Sequence, residues 1–263
     1  FAKQWAATLD DYAIDLAWSP DGSTLAVASA AGGITLYDAA SGAVKHALAG
    51  HENGANALAW GPSGLLATGG QDGCVRFWDA VTGQQTAEAK LGTAWVEHLA
   101  WQPVSSQLLF AAAGKKLVAL KPDGSLTHTF PDAPKTISAL AWRPDGSACA
   151  AACFGHVVVW DAAAFTAQKE FPYGNAIYAL PWSPDNRWLV AGCHDNAVHL
   201  WVPAEDLELH MSGYETRLKE LSFSHDSKWL ATGGGKDVCV WDCAGAGPEG
   251  REPLQLPQTG RTT

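Results

Sequence analysis

Two Cys–His pairs come nearest to the residue types and spacing of a metal site. Cys153 is followed by His156, and Cys193 is followed directly by His194. Thiolate sulfur and imidazole nitrogen are the ligands that zinc prefers, and four of them complete a tetrahedral site. A free cysteine is equally suited to fill a small space in an apolar core. The pattern therefore leaves zinc open, but we favour the core-filling role and expect no metal and no cofactor.

The charge balance argues against nucleic acid as a partner. The 263 residues include 27 Asp and Glu against 17 Lys and Arg, which gives a net charge of −10. An acidic surface of this size repels a phosphate backbone. The apolar runs are short, such as residues 108–113, and none approaches the ~20 residues that cross a membrane as a helix. We therefore expect neither a nucleic acid nor a membrane partner, and a cytoplasmic location.

One aromatic residue recurs along the whole chain at intervals of 40 to 42 residues. This anchor stands at Trp18, Trp60, Trp101, Trp142, Trp182 and Phe223. A second set of aromatics, mostly followed by Asp, trails the anchors by about 19 residues, at Tyr37, Trp78, Trp160, Trp201 and Trp241. Two sets that share one period indicate an internal repeat, which must be identified before any secondary structure is assigned.

Each repeat contains four short apolar runs separated by turn residues. Pro144, Asp145 and Gly146 form one such turn, and these residue types favour tight turns. Because the turns are short, consecutive runs must pair as antiparallel strands. The repeats span roughly residues 10–50, 51–91, 92–130, 131–171, 172–211 and 212–263. A lone sheet of this size cannot bury both of its faces, so the copies are expected to stack.

These residues resemble the WD-repeat β-propeller family. The LAWSPDG-type turn, the GG-x-DG turn and the Trp-Asp pair carry the resemblance over residues 3–242. It implies an all-β fold, a β-propeller of four-stranded antiparallel blades, with six blades in one domain over residues 1–263.

The second repeat is the most faithful to this family. The resemblance implies that His51, Thr68, Asp72 and Trp78 are hydrogen-bonded in series across the blade. A His, a Thr and an Asp are also the residue types of a catalytic triad. However, a buried Asp needs donors, and a fully satisfied network makes a sheet rigid. We therefore favour a structural role, expect no catalytic residue, and expect the first and third blades, which lack the set, to be softer.

Each repeat ends in a fourth predicted strand, which follows the second aromatic, and one more segment of this kind precedes the first repeat. Residues 3–9 look like a fourth strand that precedes the first repeat. In the family, an N-terminal strand commonly completes the last blade. The resemblance therefore implies that residues 3–9 close the ring and that the chain is a fragment of a seven-bladed ring. The alternative is a six-bladed ring with a loose tail beyond Cys243.

The beginnings of the first strands are the candidate binding surface. Positions four and six before each anchor face away from the buried position five before it, and in the family they open onto one rim. Large aromatics and arginines that folding does not require are typical binding hot spots. The candidate rim residues are Tyr12, Asn56, Trp95, Glu97, Tyr178, Arg217 and Lys219. The alternative is that these aromatics only fill a central channel.

The resulting prediction is a non-enzymatic scaffold that presents one rim to a protein or peptide partner. One alternative is a propeller enzyme, a metal-dependent hydrolase of the lactonase kind. That enzyme needs several ligands on the innermost strands, where the chain offers only Asp15, Glu97 and His98. Another alternative is a regulatory propeller domain of a larger chain.

Overall fold

Turn residues divide the chain into short strands. In the second repeat Gly64 and Gly73 adopt φ angles of 83° and 70°, a region that side chains with a Cβ disfavour. Each of these glycines reverses the chain, so the apolar runs on either side pair with each other. The computed structural model describes residues 4–233 and 235–262. All regular secondary structure in these ranges is β-strand.

The first three sheets contain twelve strands in chain order. They are β1 (Ala13–Trp18), β2 (Thr24–Ser29), β3 (Ile34–Asp38), β4 (Val44–Leu48), β5 (Ala55–Trp60), β6 (Leu65–Gly70), β7 (Cys74–Asp79), β8 (Gln84–Lys90), β9 (Val96–Trp101), β10 (Leu109–Ala113), β11 (Lys116–Leu120) and β12 (Leu126–Thr129).

The last three sheets contain the remaining strands. They are β13 (Ile137–Trp142), β14 (Ala148–Cys153), β15 (His156–Asp161), β16 (Ala167–Pro172), β17 (Ile177–Ala179), β18 (Leu189–Cys193), β19 (Val198–Val202), β20 (Leu207–Met211), β21 (Leu221–Phe223), β22 (Trp229–Thr232), β23 (Gly235–Asp242) and β24 (Leu254–Thr262).

Every sheet consists of four consecutive strands, each paired antiparallel with its neighbours in the chain. In the second sheet, Leu66 on β6 lies opposite Trp78 on β7, and Thr68 lies opposite Arg76. The six four-stranded antiparallel sheets confirm the predicted all-β propeller blades. Among the described residues, no helix is long and apolar enough to cross a membrane.

The chain divides into two compact units, residues 1–137 and 138–263. In the first unit, Phe77, Trp101 and Leu109 belong to one buried cluster that joins the second and third sheets. In the second unit, Ile177 and Trp201 belong to a similar cluster that joins the fourth and fifth sheets. Within each unit, sheets therefore bury their apolar faces against the next copy. The single domain over residues 1–263 and the seven-bladed ring stay predictions.

The anchor tryptophans tie a sheet to the one before it. The indole Nε1 of Trp60 donates to the carbonyl oxygen of Ala17 at 3.0 Å, and Nε1 of Trp101 donates to that of Ala59 at 3.1 Å. In the second unit, Trp182 bonds to Ala141 in the same way at 3.1 Å. The repeated contact explains the tryptophan-rich composition by packing, because each indole buries a large apolar area and satisfies its N–H.

The segment before the first strand lies against the first sheet. The ring of Trp5 stacks on that of Tyr37 at 5.9 Å between centroids, and its Nε1 donates to the carbonyl oxygen of Ala39 at 2.9 Å. Residues 4–9 of the expected closing strand 3–9 form no strand, and residue 3 lies outside the described part. In the sixth sheet, β24 pairs with β23 as the fourth strand. Ring closure by the N-terminal segment stays a prediction.

Candidate functional site

The first strands of four sheets carry a β-bulge near their beginning. In the fifth sheet, Ile177 lies opposite Cys193 and Ala179 lies opposite Gly192, so Tyr178 has no cross-strand partner. The corresponding extra residues in the first three sheets are Ile14, Asn56 and Glu97. A bulge re-aims the side chain of the extra residue and often marks a functional edge. The bulges fall on the position four residues before the anchor, one of the two positions predicted for binding.

In the first unit, four candidate residues form what we call the first strand-start patch: Tyr12, Asn56, Trp95 and Glu97. Tyr12 directly precedes β1 and is 82% exposed, and Trp95 directly precedes β9 and is 51% exposed. The side-chain nitrogen of Asn56 is buried without a hydrogen-bond partner. No hydrogen bond, ion pair or ring contact between described side chains joins these four residues. The first patch therefore offers separate contact points and no assembled pocket.

In the second unit, three candidate residues lie together and form the second strand-start patch: Tyr178, Arg217 and Lys219. The Cζ atom of Arg217 lies 5.8 Å from the centroid of the Tyr178 ring, and the Nζ atom of Lys219 lies 5.9 Å from it. The ring of His194 is 6.0 Å from the same ring. A cation within about 6 Å of an aromatic centroid is attracted to the ring, so the patch is held together internally.

Leu218 orients the two cations. It is fully buried, whereas Arg217 and Lys219 on either side of it are exposed. Its backbone N–H donates to the carbonyl oxygen of Cys193 at 3.2 Å. The buried side chain and this bond hold the backbone between the two cations, so both cations project to the solvent side.

In the second sheet, a chain of polar side chains connects two strands, β6 and β7, with the segment before β5 and the turn between β6 and β7. The indole Nε1 of Trp78 donates to Oγ1 of Thr68 at 3.0 Å, and the same oxygen lies 2.7 Å from Nε2 of His51. The other imidazole nitrogen, Nδ1, lies 3.0 Å from Oδ1 of Asp72. A guanidinium nitrogen of Arg76 lies 2.6 Å from the same Nδ1, so this imidazole nitrogen faces both a cation and a carboxylate. The four residues are thus hydrogen-bonded in series.

Arg76 completes this chain electrostatically. One of its guanidinium nitrogens donates to Oδ2 of Asp72 at 2.7 Å, and its Nε lies 2.9 Å from Glu88. Burial raises the pKa of Asp72, but hydrogen bonds from Arg76 and His51 outweigh it and lower the pKa to about 2. Burial lowers the pKa of His51, although Asp72 opposes the shift. At neutral pH the chain therefore contains a carboxylate and a neutral imidazole.

The Thr68 hydroxyl is sealed from solvent. Thr68 is fully buried, and His51 and Trp78 are only 5% and 3% exposed. The hydroxyl oxygen already contacts both the imidazole and the indole, so no substrate carbonyl can approach it. The set holds the sheet together, because a buried hydrogen-bonded network is rigid when every member is satisfied.

Two tyrosines that the sequence analysis missed occupy the place of His51 in other sheets. In the fifth sheet, the hydroxyl of Tyr173 donates to Oδ2 of Asp195. In the sixth sheet, the Tyr214 hydroxyl oxygen lies 2.9 Å from Oγ1 of Thr232 and accepts a hydrogen bond from Trp241. His51 and Tyr173 stand four positions before the first residues of β5 and β17, and Tyr214 stands four positions before the buried Leu218, a signal that the sequence already contained.

The structure does not assemble the four candidate zinc ligands. Cys153 and Cys193 are both buried, and Nε2 of His156 lies 3.2 Å from a carboxylate oxygen of Glu170. His194 is exposed beside Tyr178. Over residues 4–233 and 235–262, no three His, Cys, Asp or Glu side chains are grouped closely enough to hold a metal ion.

Of the three residues considered as ligands of a propeller enzyme, Asp15 is hydrogen-bonded to the backbone. The carboxylate of Asp15 accepts the N–H groups of Leu16 and Leu58, both at 2.8 Å. Burial raises the pKa of Asp15 even though these bonds oppose the shift. Burial also lowers the pKa of His98. The Asp15 bond to Leu58 links the first sheet to the second, which is a structural task, and Glu97 occupies the bulge in β9.

Comparison with known proteins identifies the family. The profile described as "WD domain, G-beta repeat" matches residues 6–38, 42–79, 167–202 and 207–242, more than half of the chain. The WD repeat-containing protein slp1 of Schizosaccharomyces pombe is 24% identical over 263 aligned residues, which cover 94% of this chain and 53% of slp1.

Two further relatives differ in how much of the chain they match. "Cell division cycle 20.5, cofactor of APC complex" of Arabidopsis thaliana is 25% identical over 252 residues, 88% of this chain and 55% of that protein. Ribosome biogenesis protein ERB1 of Chaetomium thermophilum is 41% identical over 76 residues, 28% of this chain and 10% of ERB1. The chain spans about half the length of slp1 and of the Arabidopsis protein. With its repeats, sheets and polar chain, the chain belongs to the WD-repeat family.

Proposed function

We propose that this chain is a non-enzymatic adaptor that binds a protein partner through the two strand-start patches. The observation that carries the proposal is the recurring bulge at the beginning of the first strand, which takes Asn56, Glu97 and Tyr178 out of the regular cross-strand pairing. Regular pairing alone does not require a bulge at this place. A bulge repeated at one position of successive sheets is typical of a feature retained for display of side chains.

The exposed aromatics beside the bulges support the same role. Tyr12 and Trp95 are more than half exposed, although an indole or phenol gains most when it is buried. Folding of the first unit gains little from these two side chains. Aromatic and arginine side chains of this kind are enriched among residues that dominate binding energy. We therefore expect Trp95 and Arg217 to contribute more to partner affinity than the other residues of the two patches.

The relatives support an adaptor in a larger assembly. One of them is named as a cofactor of the APC complex, and we propose a comparable role as a cofactor of a protein assembly for this chain. A fold alone does not determine function, so the partner must be found by experiment. The non-enzymatic character is supported by the sealed Thr68 hydroxyl. The cytoplasmic location and the place of the chain in a larger regulatory protein stay predictions.

Affinity purification followed by binding measurements tests the proposal. A protein that co-purifies with the chain is identified by mass spectrometry, and its affinity is measured for a double variant, Trp95→Ala with Arg217→Ala. We expect a loss of about tenfold or more, since truncation of a hot spot costs at least ~2 kcal/mol. The matched control is Val81→Ala with Lys169→Ala, which changes an exposed apolar residue and a lysine elsewhere. Equal affinity of both double variants would refute the proposal.

A further inference from the structure

We propose that the second strand-start patch binds acidic side chains on an extended segment of the partner protein. The proposal rests on the proposed function and names the chemistry of the partner. Tyr178, Arg217 and Lys219 would together hold carboxylates at alternate positions of that segment.

Arg217 differs from the other arginines of this acidic protein. Four of the five arginines with described side chains lie within 3.4 Å of a carboxylate oxygen: Arg76, Arg143, Arg187 and Arg251. Arg217 and Lys219 have no ion pair with any described residue, although Glu215 and Glu220 are close to them in the sequence. In a chain with a net charge of −10, Arg217 is the one arginine with a described side chain that has no carboxylate beside it.

The donors of the patch face solvent without an internal acceptor. Arg217 and Lys219 are exposed, and neither they nor the Tyr178 hydroxyl make a hydrogen bond within the described part of the chain. The guanidinium group has a planar set of donors that matches a carboxylate in two parallel hydrogen bonds. Both cations are already held near the Tyr178 ring. This arrangement reduces the entropy that binding must remove.

The spacing of the cations favours an extended peptide. The Cζ atom of Arg217 and the Nζ atom of Lys219 lie on one side, because both are within 6 Å of the Tyr178 ring centroid. Side chains two residues apart on one face of an extended segment are about 6–7 Å apart. Acidic residues at alternate positions of an extended segment have the same spacing. A segment with such a pattern can therefore place one carboxylate on Arg217 and the next on Lys219.

The charge of the rest of the protein makes the patch selective. Exposed charges further away than about 8–10 Å are largely screened at physiological salt. An acidic segment that reaches the second patch therefore interacts mainly with Arg217 and Lys219. An acidic segment is attracted at the second patch and repelled over most of the remaining surface. The patch thus directs one part of the partner to one place.

Fluorescence anisotropy with defined peptides tests the proposal. The probe is a short fluorescein-labelled peptide with two glutamates at alternate positions, and the reference replaces both glutamates by glutamine. We expect the glutamate peptide to bind the wild-type chain at least about tenfold more tightly than the glutamine peptide, a difference of ~1.4 kcal/mol. The variant Arg217→Gln with Lys219→Gln should abolish this preference.

A charge-matched variant distinguishes the patch from net charge. Lys169→Gln with Lys228→Gln removes two cations of the same unit, one paired with Asp206 and one over the ring of Trp229, and should keep the preference. The proposal is overturned if the two peptides bind equally or if both double variants lose the preference equally. It is also overturned if neither peptide binds while a third peptide, with phosphoserine in place of the two glutamates, does bind.

Failure of this inference is separable from failure of the proposed function. Suppose that the wild-type chain binds the glutamate and glutamine peptides equally, while the variant Trp95→Ala with Arg217→Ala still loses the natural partner. Then only the proposal that the second patch binds acidic side chains is refuted. If that double variant retains the partner, the proposed function itself is refuted.

Discussion

The second and fifth sheets place a tryptophan at the same position but satisfy its N–H differently. In the second sheet Trp78 donates to Thr68. In the fifth sheet Ala191 occupies the place of Thr68, because Ala191 lies opposite His199 as Thr68 lies opposite Arg76. The Nε1 atom of Trp201 is buried and has no hydrogen-bond partner. One hydroxyl therefore separates a complete polar chain from an interrupted one.

The fifth sheet compensates with ring packing. The ring of Trp201 stacks on that of Phe171 at 4.9 Å and on that of His199 at 5.9 Å. Such aromatic pairs contribute about 0.5–1.5 kcal/mol each, whereas an unpaired buried N–H costs about 1–3 kcal/mol. The two effects are of similar size. The second and fifth sheets thus both bury a tryptophan at this position, although its polar partner in one is exchanged for aromatic neighbours in the other.

The largest expected effect is that of Thr68→Val in the second sheet. The substitution keeps the shape but leaves the Trp78 N–H and the His51 imidazole without their shared partner. We expect the free energy of unfolding of the first unit to fall by about 3 kcal/mol, since each buried orphan costs roughly 1–3 kcal/mol. Urea unfolding followed by tryptophan fluorescence measures the change. Thr86→Val, on the exposed strand β8, is the control, and equal losses for both variants would contradict the structural role.

Position 191 provides the reverse test. Ala191→Thr offers Trp201 a hydroxyl, whereas Ala191→Val adds the same volume without one. Both variants strain a packed site, but we expect the threonine variant to be more stable than the valine variant by about 2 kcal/mol, the value of satisfying a buried donor. Thermal unfolding of the two variants gives the difference. A valine variant at least as stable as the threonine variant would show that Trp201 does not need a partner.

Hydrogen exchange extends the comparison to the sheets without a polar chain. We expect amides in the first and third sheets to exchange about tenfold faster than those on β6 and β7, equivalent to ~1.4 kcal/mol of local stability. The reason is that these two sheets lack the His, Thr and Asp set of the second sheet. Exchange followed by mass spectrometry of peptic peptides measures the rates. Slower exchange on β10 and β11 than on β6 and β7 would contradict this expectation.

The last prediction concerns how the stability contributed by Asp72 changes at low pH. Asp72 has a pKa of about 2 in the folded chain, below its ordinary value of 3.8. A carboxyl group whose pKa is lower in the folded state adds stability above the unfolded value, and this stability is lost as pH falls through the folded value. The stability advantage of the wild type over Asp72→Asn should therefore be full at neutral pH and shrink between pH 3.8 and about 2.

The same unfolding experiment at several pH values measures this advantage. Asp132→Asn, at an exposed position, serves as the control. An advantage of the wild type over Asp72→Asn that does not change with pH would show that the Asp72 carboxylate gains nothing from Arg76 and His51.

Much of the fold could be predicted from the sequence because packing repeats. The recurring anchor, as at Trp60 and Trp182, reports a hydrogen bond from the anchor indole to the preceding sheet of the same unit. The period of the anchors therefore gave the number of sheets, and the short turns gave their antiparallel order. The family resemblance supplied the set around His51, because the same residue types are retained there.

The details of the candidate site were harder to predict for physical reasons. The bulge at Tyr178 breaks the alternation on which a strand-based assignment depends, and it leaves no mark on the local composition. Tyr173 replaces His51 with a different side chain that still reaches the turn Asp. The segment around Trp5 has the composition of a strand but is held by a single indole packed on Tyr37. Composition alone does not distinguish that contact from strand pairing.

Site-specific photo-crosslinking tests the central claim most directly. A benzophenone amino acid is introduced in place of Trp95, Tyr178 or, as control, Val81, which is 86% exposed on the turn after β7. We expect the partner to crosslink to positions 95 and 178 and not to position 81. Crosslinks at position 81 without crosslinks at positions 95 and 178 would show that the partner binds elsewhere.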